Sequence, residues 1–213
     1  MLASHEVKVA PGLDHAELYT REGLLGLMWH GSADHERVVL AFGGAMGGFF
    51  GPGRGLYHRL GVDLASDDIG TIRVDYRVPN DFDRCVHDGV ASAQLAAGQG
   101  ARSFVVIGHS FGGAVAIAVG AALGELTAGV ATFATQTGGA EAAELLTCPL
   151  LLFHGDRDEL LPHAASEMVQ MISGGELVLC AGAGHLLVEA EDDIHRRLSE
   201  WIPACFDAHD PPS

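Results

Sequence analysis

The stretch Phe104-Val105-Val106-Ile107-Gly108-His109-Ser110-Phe111-Gly112-Gly113, followed at once by Ala114–Leu123, decides the fold. Phe104 to Ile107 form a continuous apolar, largely β-branched run, which reads as a strand buried on both faces. The Ala-rich segment after Gly113 reads as a helix. A serine on so tight a strand-to-helix turn needs a strained backbone, and glycines two residues before and after it remove the side chains that would collide there. Such a turn thrusts the hydroxyl outward, beside the unpaired N–H groups and positive dipole end that open a helix. Ser110 is therefore read as a nucleophile, and the Phe111 N–H as one donor to a developing oxyanion. The plainer alternative is a glycine-rich turn with an ordinary capping serine. His109 points elsewhere on such a turn and is read as a packing or hydrogen-bonding residue.

Working outward, short apolar runs alternate with helical stretches from Val38 onward, the pattern of a parallel sheet covered on both faces. The expected strands are Val38–Phe42, Thr71–Tyr76, Phe104–Gly108, Val130–Phe133, Leu150–Phe153 and Glu176–Cys180. The best helices are Asp81–Ala97, Gly112–Leu123, His163–Ile172 and Glu189–Ile202, each with apolar spacing near three and four. His5–Ala10 and Leu24–His30 are expected to add an antiparallel edge, joined by a polar stretch that includes Gly12 and Asp14. With no repeat, linker or low-complexity tract, residues 1–206 read as one domain and 207–213, with Pro211 and Pro212, as a flexible tail. About a dozen residues, Gln136 to Cys148, separate the strand ending at Phe133 from the next, too few for a lid domain.

A serine hydroxyl needs a base within reach, and the base needs a carboxylate to fix its tautomer. Leu150–Phe153 opens into His154-Gly155-Asp156-Arg157-Asp158-Glu159-Leu160-Leu161-Pro162, and Glu176–Cys180 opens into Ala181-Gly182-Ala183-Gly184-His185. Both loops leave the carboxyl ends of strands. Parallel sheets gather those ends along one edge, so a serine, an acid from the first loop and His185 can converge there. For His185 the alternative is a loop histidine bonded to backbone, and His154 is read as structural.

In strand order and in the motifs G-H-S-F-G-G, H-G-D-R-D-E-L-L-P and G-A-G-H, the chain resembles the α/β-hydrolases over Val38 to Ile202. Within them it looks most like a small lidless serine esterase or a member of the dienelactone-hydrolase group. The resemblance implies an α/β-hydrolase fold, with a mostly parallel central sheet flanked by helices on both faces and no separate lid domain. It places the acid on Asp158, the second Asp of its loop, leaving Asp156 to brace the turn. It also implies Ser110 as nucleophile, His185 as base and an acyl-enzyme, with no metal or organic cofactor. Dienelactone hydrolases proper carry Cys as nucleophile, so Ser110 favours a general esterase, EC 3.1.1, over that narrow activity.

The second oxyanion donor is expected from the loop after the first central strand, Phe42-Gly43-Gly44-Ala45-Met46-Gly47-Gly48-Phe49-Phe50. This loop lacks the His-Gly start common in the family, and Gly44 or Ala45 is the candidate donor. Seven glycines between Gly43 and Gly55 also suggest phosphate binding, but neither G-x-G-x-x-G nor G-x-x-x-x-G-K-[ST] occurs and the loop carries no Lys. Met46, Phe49, Phe50, Leu160, Leu161, Leu186 and Leu187 flank the catalytic candidates and could line an apolar substrate pocket or belong to the core. Asp75-Tyr76-Arg77 either contacts substrate or anchors a loop, and Arg77 beside an acid is most often structural.

Twelve Lys and Arg against 28 Asp and Glu give a net charge of −16, a field that repels phosphate backbones and anionic membranes. No nucleic-acid or membrane partner is expected, and the partner is a small acyl or ester substrate. No apolar run is long enough to span a bilayer, and the start Met1 to Glu6 has no secretory character, which together read as cytoplasmic. Cys85, Cys148, Cys180 and Cys205 are far apart and read as buried thiols, not as a metal or disulfide framework. The functions to separate are a serine hydrolase of carboxylic esters or thioesters, an acyltransferase or lyase on the same fold, and a non-catalytic binding protein. The last normally lacks one of the three groups, and none is missing here.

Overall fold

The computed structural model describes residues 2–209. Its nine-stranded sheet runs in the order β1-β2-β3-β5-β4-β6-β7-β8-β9. The strands are β1 (Ala3–Ala10), β2 (Leu13–Thr20), β3 (Gly23–His30), β4 (Arg37–Phe42), β5 (Ile69–Asp75), β6 (Ser103–His109), β7 (Thr127–Phe133), β8 (Leu150–Gly155) and β9 (Glu176–Cys180). Helices α1 (Leu56–Leu64), α2 (Phe82–Gln99), α3 (Phe111–Leu123), α4 (Ala164–Ser173) and α5 (Glu191–Ala208) cover it. One face packs on α2, α3 and Val169 of α4, the other on α1 and α5. This is an α/β-hydrolase fold without a separate lid domain: β7 and β8 are joined by a short segment whose one regular piece is a 3₁₀ turn, Glu141–Leu145.

The parallel half follows from sequence directly. β4 and β6 to β8 are buried almost throughout, as continuous apolar runs require. β4 pairs in parallel with both β5 and β6. The chain leaves β4 toward β5 on one side and continues from β6 toward β7 on the other. That reversal opens a crevice at the carboxyl ends of β4 and β6, where such sheets bind ligands.

Three elements depart from expectation. The polar stretch after Gly12 is itself a strand, β2, antiparallel to both neighbours, with one irregularity against β1 between Lys8 and Ala10. It buries only Leu13 and Ala16, so its alternation is too weak to announce a half-buried strand. Helix α1, unforeseen, stands behind the glycine-rich loop; Gly61 within it lets the helix approach His30, whose ring a Cβ would meet at 2.6 Å. Helix α5 continues through Pro203 to Ala208 because Cys205 and Phe206 are buried beyond the proline, so packing overrides the lost hydrogen bond. Asp207, expected in the tail, is therefore helical and pairs with Arg37 at 2.9 Å, while 210–213 lie outside the described residues.

Candidate active site

Between β6 and α3, Ser110 takes φ 57° and ψ −117°, a region that costs a residue with a side chain about 1–3 kcal/mol. The surroundings hold it there. Its N–H donates to Phe133 O at 2.7 Å and its carbonyl accepts from Gly113 N at 3.0 Å. A Cβ on Gly108 would stand 1.9 Å from the Gly112 carbonyl oxygen, and one on Gly112 would stand 2.1 Å from the Gly43 oxygen. The two glycines flanking the serine thus allow strand, helix and glycine-rich loop to touch. The same approach sets Gly44 beside the serine, where its Cβ would lie 3.9 Å from Ser110 Cβ.

Ser110, His185 and Asp158 are brought together. His185 Nε2 lies 3.1 Å from Ser110 Oγ, and His185 Nδ1 lies 2.7 Å from Asp158 Oδ2. A carboxylate only accepts, so Nδ1 carries the proton and Nε2 presents its lone pair to the hydroxyl, the tautomer a base needs. The Asp158 side chain is wholly inaccessible. Burial alone would raise its pKa, but hydrogen bonds from the Leu161 N–H, the His185 ring and the Leu160 N–H outweigh that and hold the carboxyl below the usual range. The two backbone donors reach Oδ1 at 2.9 and 2.8 Å.

Asp156 accepts from Gly182 N at 2.6 Å and so ties the acid loop to the histidine loop, the bracing role expected of it. His109 is buried, and its Nε2 donates to the His185 carbonyl at 3.0 Å. Burial pushes its pKa down to about 4, so the ring is neutral at pH 7.

The Phe111 N–H opens α3 and has no acceptor within the helix by its position. Opposite it runs the glycine-rich loop, in which Gly47, Gly48, Gly51, Gly53 and Gly55 all take positive φ. Gly47 N bonds to Gly44 O, Gly48 N to Asp75 Oδ1, Gly53 N to Leu186 O and Arg54 N to Glu191 Oε2. These donors serve the chain's own acceptors, so chain geometry, not an anion, explains the glycines. Asp75 anchors the loop, and Arg77 pairs with buried Asp88. Tyr57 and Glu191, which sequence reasoning did not single out, hold the same loop: Tyr57 OH donates to Phe42 O at 2.9 Å, and Glu191 accepts from Arg54 N at 2.8 Å. Neither belongs to a motif.

The expected pocket residues divide. Met46, Phe50, Leu160 and Leu186 stand exposed on loops at this edge, Met46 at 90%. Phe49 instead turns onto β2 and β3: its ring meets His15 edge-on at 5.9 Å, and a Cβ on Gly26 would lie 3.2 Å from its Cζ. Leu187 is core, 1% exposed. Leu161 is half-buried, its N–H on Asp158. A cavity of about 670 Å³ lies at the opposite edge, between the starts of β7 and β8 and Trp201 and Cys205 of α5, away from Ser110. Among the described residues no group of three or more His, Cys, Asp or Glu could hold a metal ion, and no helix is long and apolar enough to cross a membrane.

The architecture is shared with known structures. Est1E from Butyrivibrio proteoclasticus superposes with a TM-score of 0.76 at 14% identity, covering 91% of this chain and 99% of its own. A dienelactone hydrolase from Anabaena variabilis gives 0.75 at 18%, covering 94% and 98%, and an α/β serine hydrolase homologue from Coxiella burnetii gives 0.69 at 19%, covering 87% and 95%. No curated protein sequence matches. Residues 55–195, which carry the elbow, the acid loop and the histidine loop, match the dienelactone hydrolase family, and the chain belongs to it.

Proposed function

We propose that this family member is a serine hydrolase of the carboxylesterase kind, cleaving a carboxylic ester or thioester through an acyl-enzyme on Ser110. The observation that carries the reading is the unbroken hydrogen-bonded chain from Ser110 Oγ through His185 to Asp158, mounted on a strained elbow. Ser110 Oγ attacks the carbonyl carbon as His185 Nε2 takes its proton, and Asp158 holds the imidazolium that forms. The oxyanion is received by the Phe111 N–H and by Gly44 or Ala45. His185 then protonates the leaving alcohol or thiol. Water, deprotonated by the same ring, releases the acid. The residues so assigned need no cofactor.

The exposed apolar side chains Met46, Leu160 and Leu186 fit a small acyl or alcohol group approaching an open site. Transfer to an acceptor other than water would use the same three residues. We place the reaction in the cytoplasm, whose reducing conditions suit four free cysteines.

Intact-mass spectrometry after incubation with a fluorophosphonate, alongside p-nitrophenol release from a short-chain ester, tests this. One adduct mapping to Ser110, with adduct and turnover lost in Ser110→Ala, is the expected result. An unmodified native chain without turnover on esters or thioesters would overturn it.

A further inference from the structure

His154 lies one residue before the end of β8, on the strand that delivers the acid loop, and its side chain is wholly buried. Nδ1 is 2.7 Å from Ser166 Oγ on α4, and Nε2 is 3.0 Å from the Leu161 carbonyl oxygen. A carbonyl only accepts, so the ring proton sits on Nε2. Nδ1 then carries the lone pair, and the buried Ser166 hydroxyl must donate to it. One tautomer of a neutral ring satisfies both neighbours. The same Nε2 is 3.2 Å from Asp158 Oδ2, the oxygen that accepts from His185.

Leu161 makes the arrangement two-sided. Its N–H donates to Asp158 Oδ1 while its carbonyl accepts from His154. The ring therefore grips the turn that grips the carboxylate, and also sets the positive end of an N–H dipole against the carboxylate itself. Ser166 fastens the ring to α4, so the acid is referenced to a helix and not to its loop alone. The other titratable groups facing this assembly are His185, across the carboxylate, and His109.

We propose that His154, whose Nε2–H tautomer is set by the Leu161 carbonyl and whose ring Ser166 ties to α4, is a positioning residue that fixes the Asp158 carboxylate and limits its basicity toward His185. The inference rests on the triad reading above. The Nε2–H bonds to Leu161 but lies 3.2 Å from Oδ2, so its dipole adds positive potential at that oxygen. Removing the ring would leave a more basic carboxylate and a more readily protonated base.

The test measures pH profiles of kcat and KM on the ester substrate for the native chain, His154→Leu, His154→Gln, Ser166→Ala and Ser110→Ala. His154→Leu is expected to lower kcat roughly tenfold, the scale of one lost hydrogen bond holding the Asp158 turn, with KM unchanged. The acid limb of its kcat/KM profile should move up by about half a pH unit. His154→Gln, which keeps a donor, should restore the limb, and Ser166→Ala should show a smaller shift of the same sign. A merely structural histidine would lower activity without moving the limb. ¹⁵N-histidine NMR of the native chain gives an answer independent of folding in the variants: a neutral Nε2–H ring is expected, and an Nδ1–H tautomer or an imidazolium at neutral pH overturns the inference. An unmoved limb in folded His154→Leu also overturns it. If Ser110→Ala retains full turnover, the triad reading is what fails; if it is inactive and the limb stays put, only the role of His154 fails.

Discussion

The elbow at Ser110 and the apolar rim around it stand on the same sheet edge and are built in opposite ways. At the elbow, glycine positions carry backbone contacts that no side chain could replace, and the hydroxyl, ring and carboxylate follow one another at 3.1 and 2.7 Å. At the rim, Met46, Phe50, Leu160 and Leu186 project from loops with more than half of their surface free. In the proposed mechanism the bond-making groups have to be held before the substrate arrives, because alignment achieved during the reaction would cost the rate it is meant to supply. Rim side chains need only offer apolar surface. A perturbation of the first region should therefore be severe, and one of the second mild.

The harshest break in that contrast is Asp158→Asn, which keeps the shape of the acid but removes its charge and favours the wrong histidine tautomer. A fall on the order of ten-thousandfold in kcat is expected, with fluorophosphonate labelling slowed in parallel and KM little changed. Next comes Gly112→Ala, whose methyl would need the Gly43 carbonyl oxygen 2.1 Å away and the Phe42 oxygen 2.6 Å away to retreat. Those carbonyls accept from Tyr76 OH and Tyr57 OH, so the shift spreads into the core. A stability loss of about 3 kcal/mol in urea unfolding, together with loss of turnover, is expected. Unchanged stability would mean that the elbow is looser than its contacts imply.

Acid should lower the stability of the fold first through its buried neutral histidines. His109 titrates at about 4 when folded, against an ordinary value of roughly 6.5 when unfolded, because burial disfavours its charged form. Between those values the unfolded chain binds the extra proton, so stability is complete above about pH 6.5 and declines as pH falls toward 4. His109 alone contributes at most about 3 kcal/mol of that decline, and His30, also pushed down to about 4 by burial, adds in the same window. Asp158, held low, acts further down: its contribution is lost only below the ordinary carboxylate range. His109→Gln, which keeps a donor toward the His185 carbonyl, should flatten the slope of unfolding free energy between pH 6.5 and 4. A slope unchanged from the native chain would show that the ring is not buried neutral.

The same contrast separates what the amino-acid sequence makes legible from what only the fold decides. Gly108, Ser110, Gly112 and His185 are legible because their geometry demands particular residue types, and demand leaves a pattern; the choice of Asp158 over Asp156 comes from the resemblance to the α/β-hydrolases. β2 and α1 left little: β2 buries two side chains, and α1 carries an interior glycine and adjoins a loop already dense in them. Phe49 and Leu187 sit among residues of the right kind, yet one faces β2–β3 and the other the core, because the direction of a loop side chain depends on tertiary contacts. His154 is legible as structural; that its ring proton faces the Leu161 carbonyl beside Asp158, with Ser166 from another element satisfying the second nitrogen, depends on tertiary packing.

The smallest effect should come from the rim. Leu160 is 73% exposed, and its contribution to the acid is its backbone N–H, which donates to Asp158 Oδ1 whatever its side chain. Leu160→Ser should therefore leave the relay in place and change stability by no more than about 0.5 kcal/mol. If the side chain meets the substrate, losing its apolar surface should raise KM for a longer-chain p-nitrophenyl ester by roughly three- to tenfold while sparing the acetate, since each methylene in an apolar contact is worth about 1 kcal/mol. Equal effects on both esters would point instead to a disturbed Asp158 turn, and Leu160 would then belong with the elbow. A chain-length-dependent effect with kcat intact would assign it to the rim and give the first measure of how far the acyl or alcohol group extends toward the acid loop.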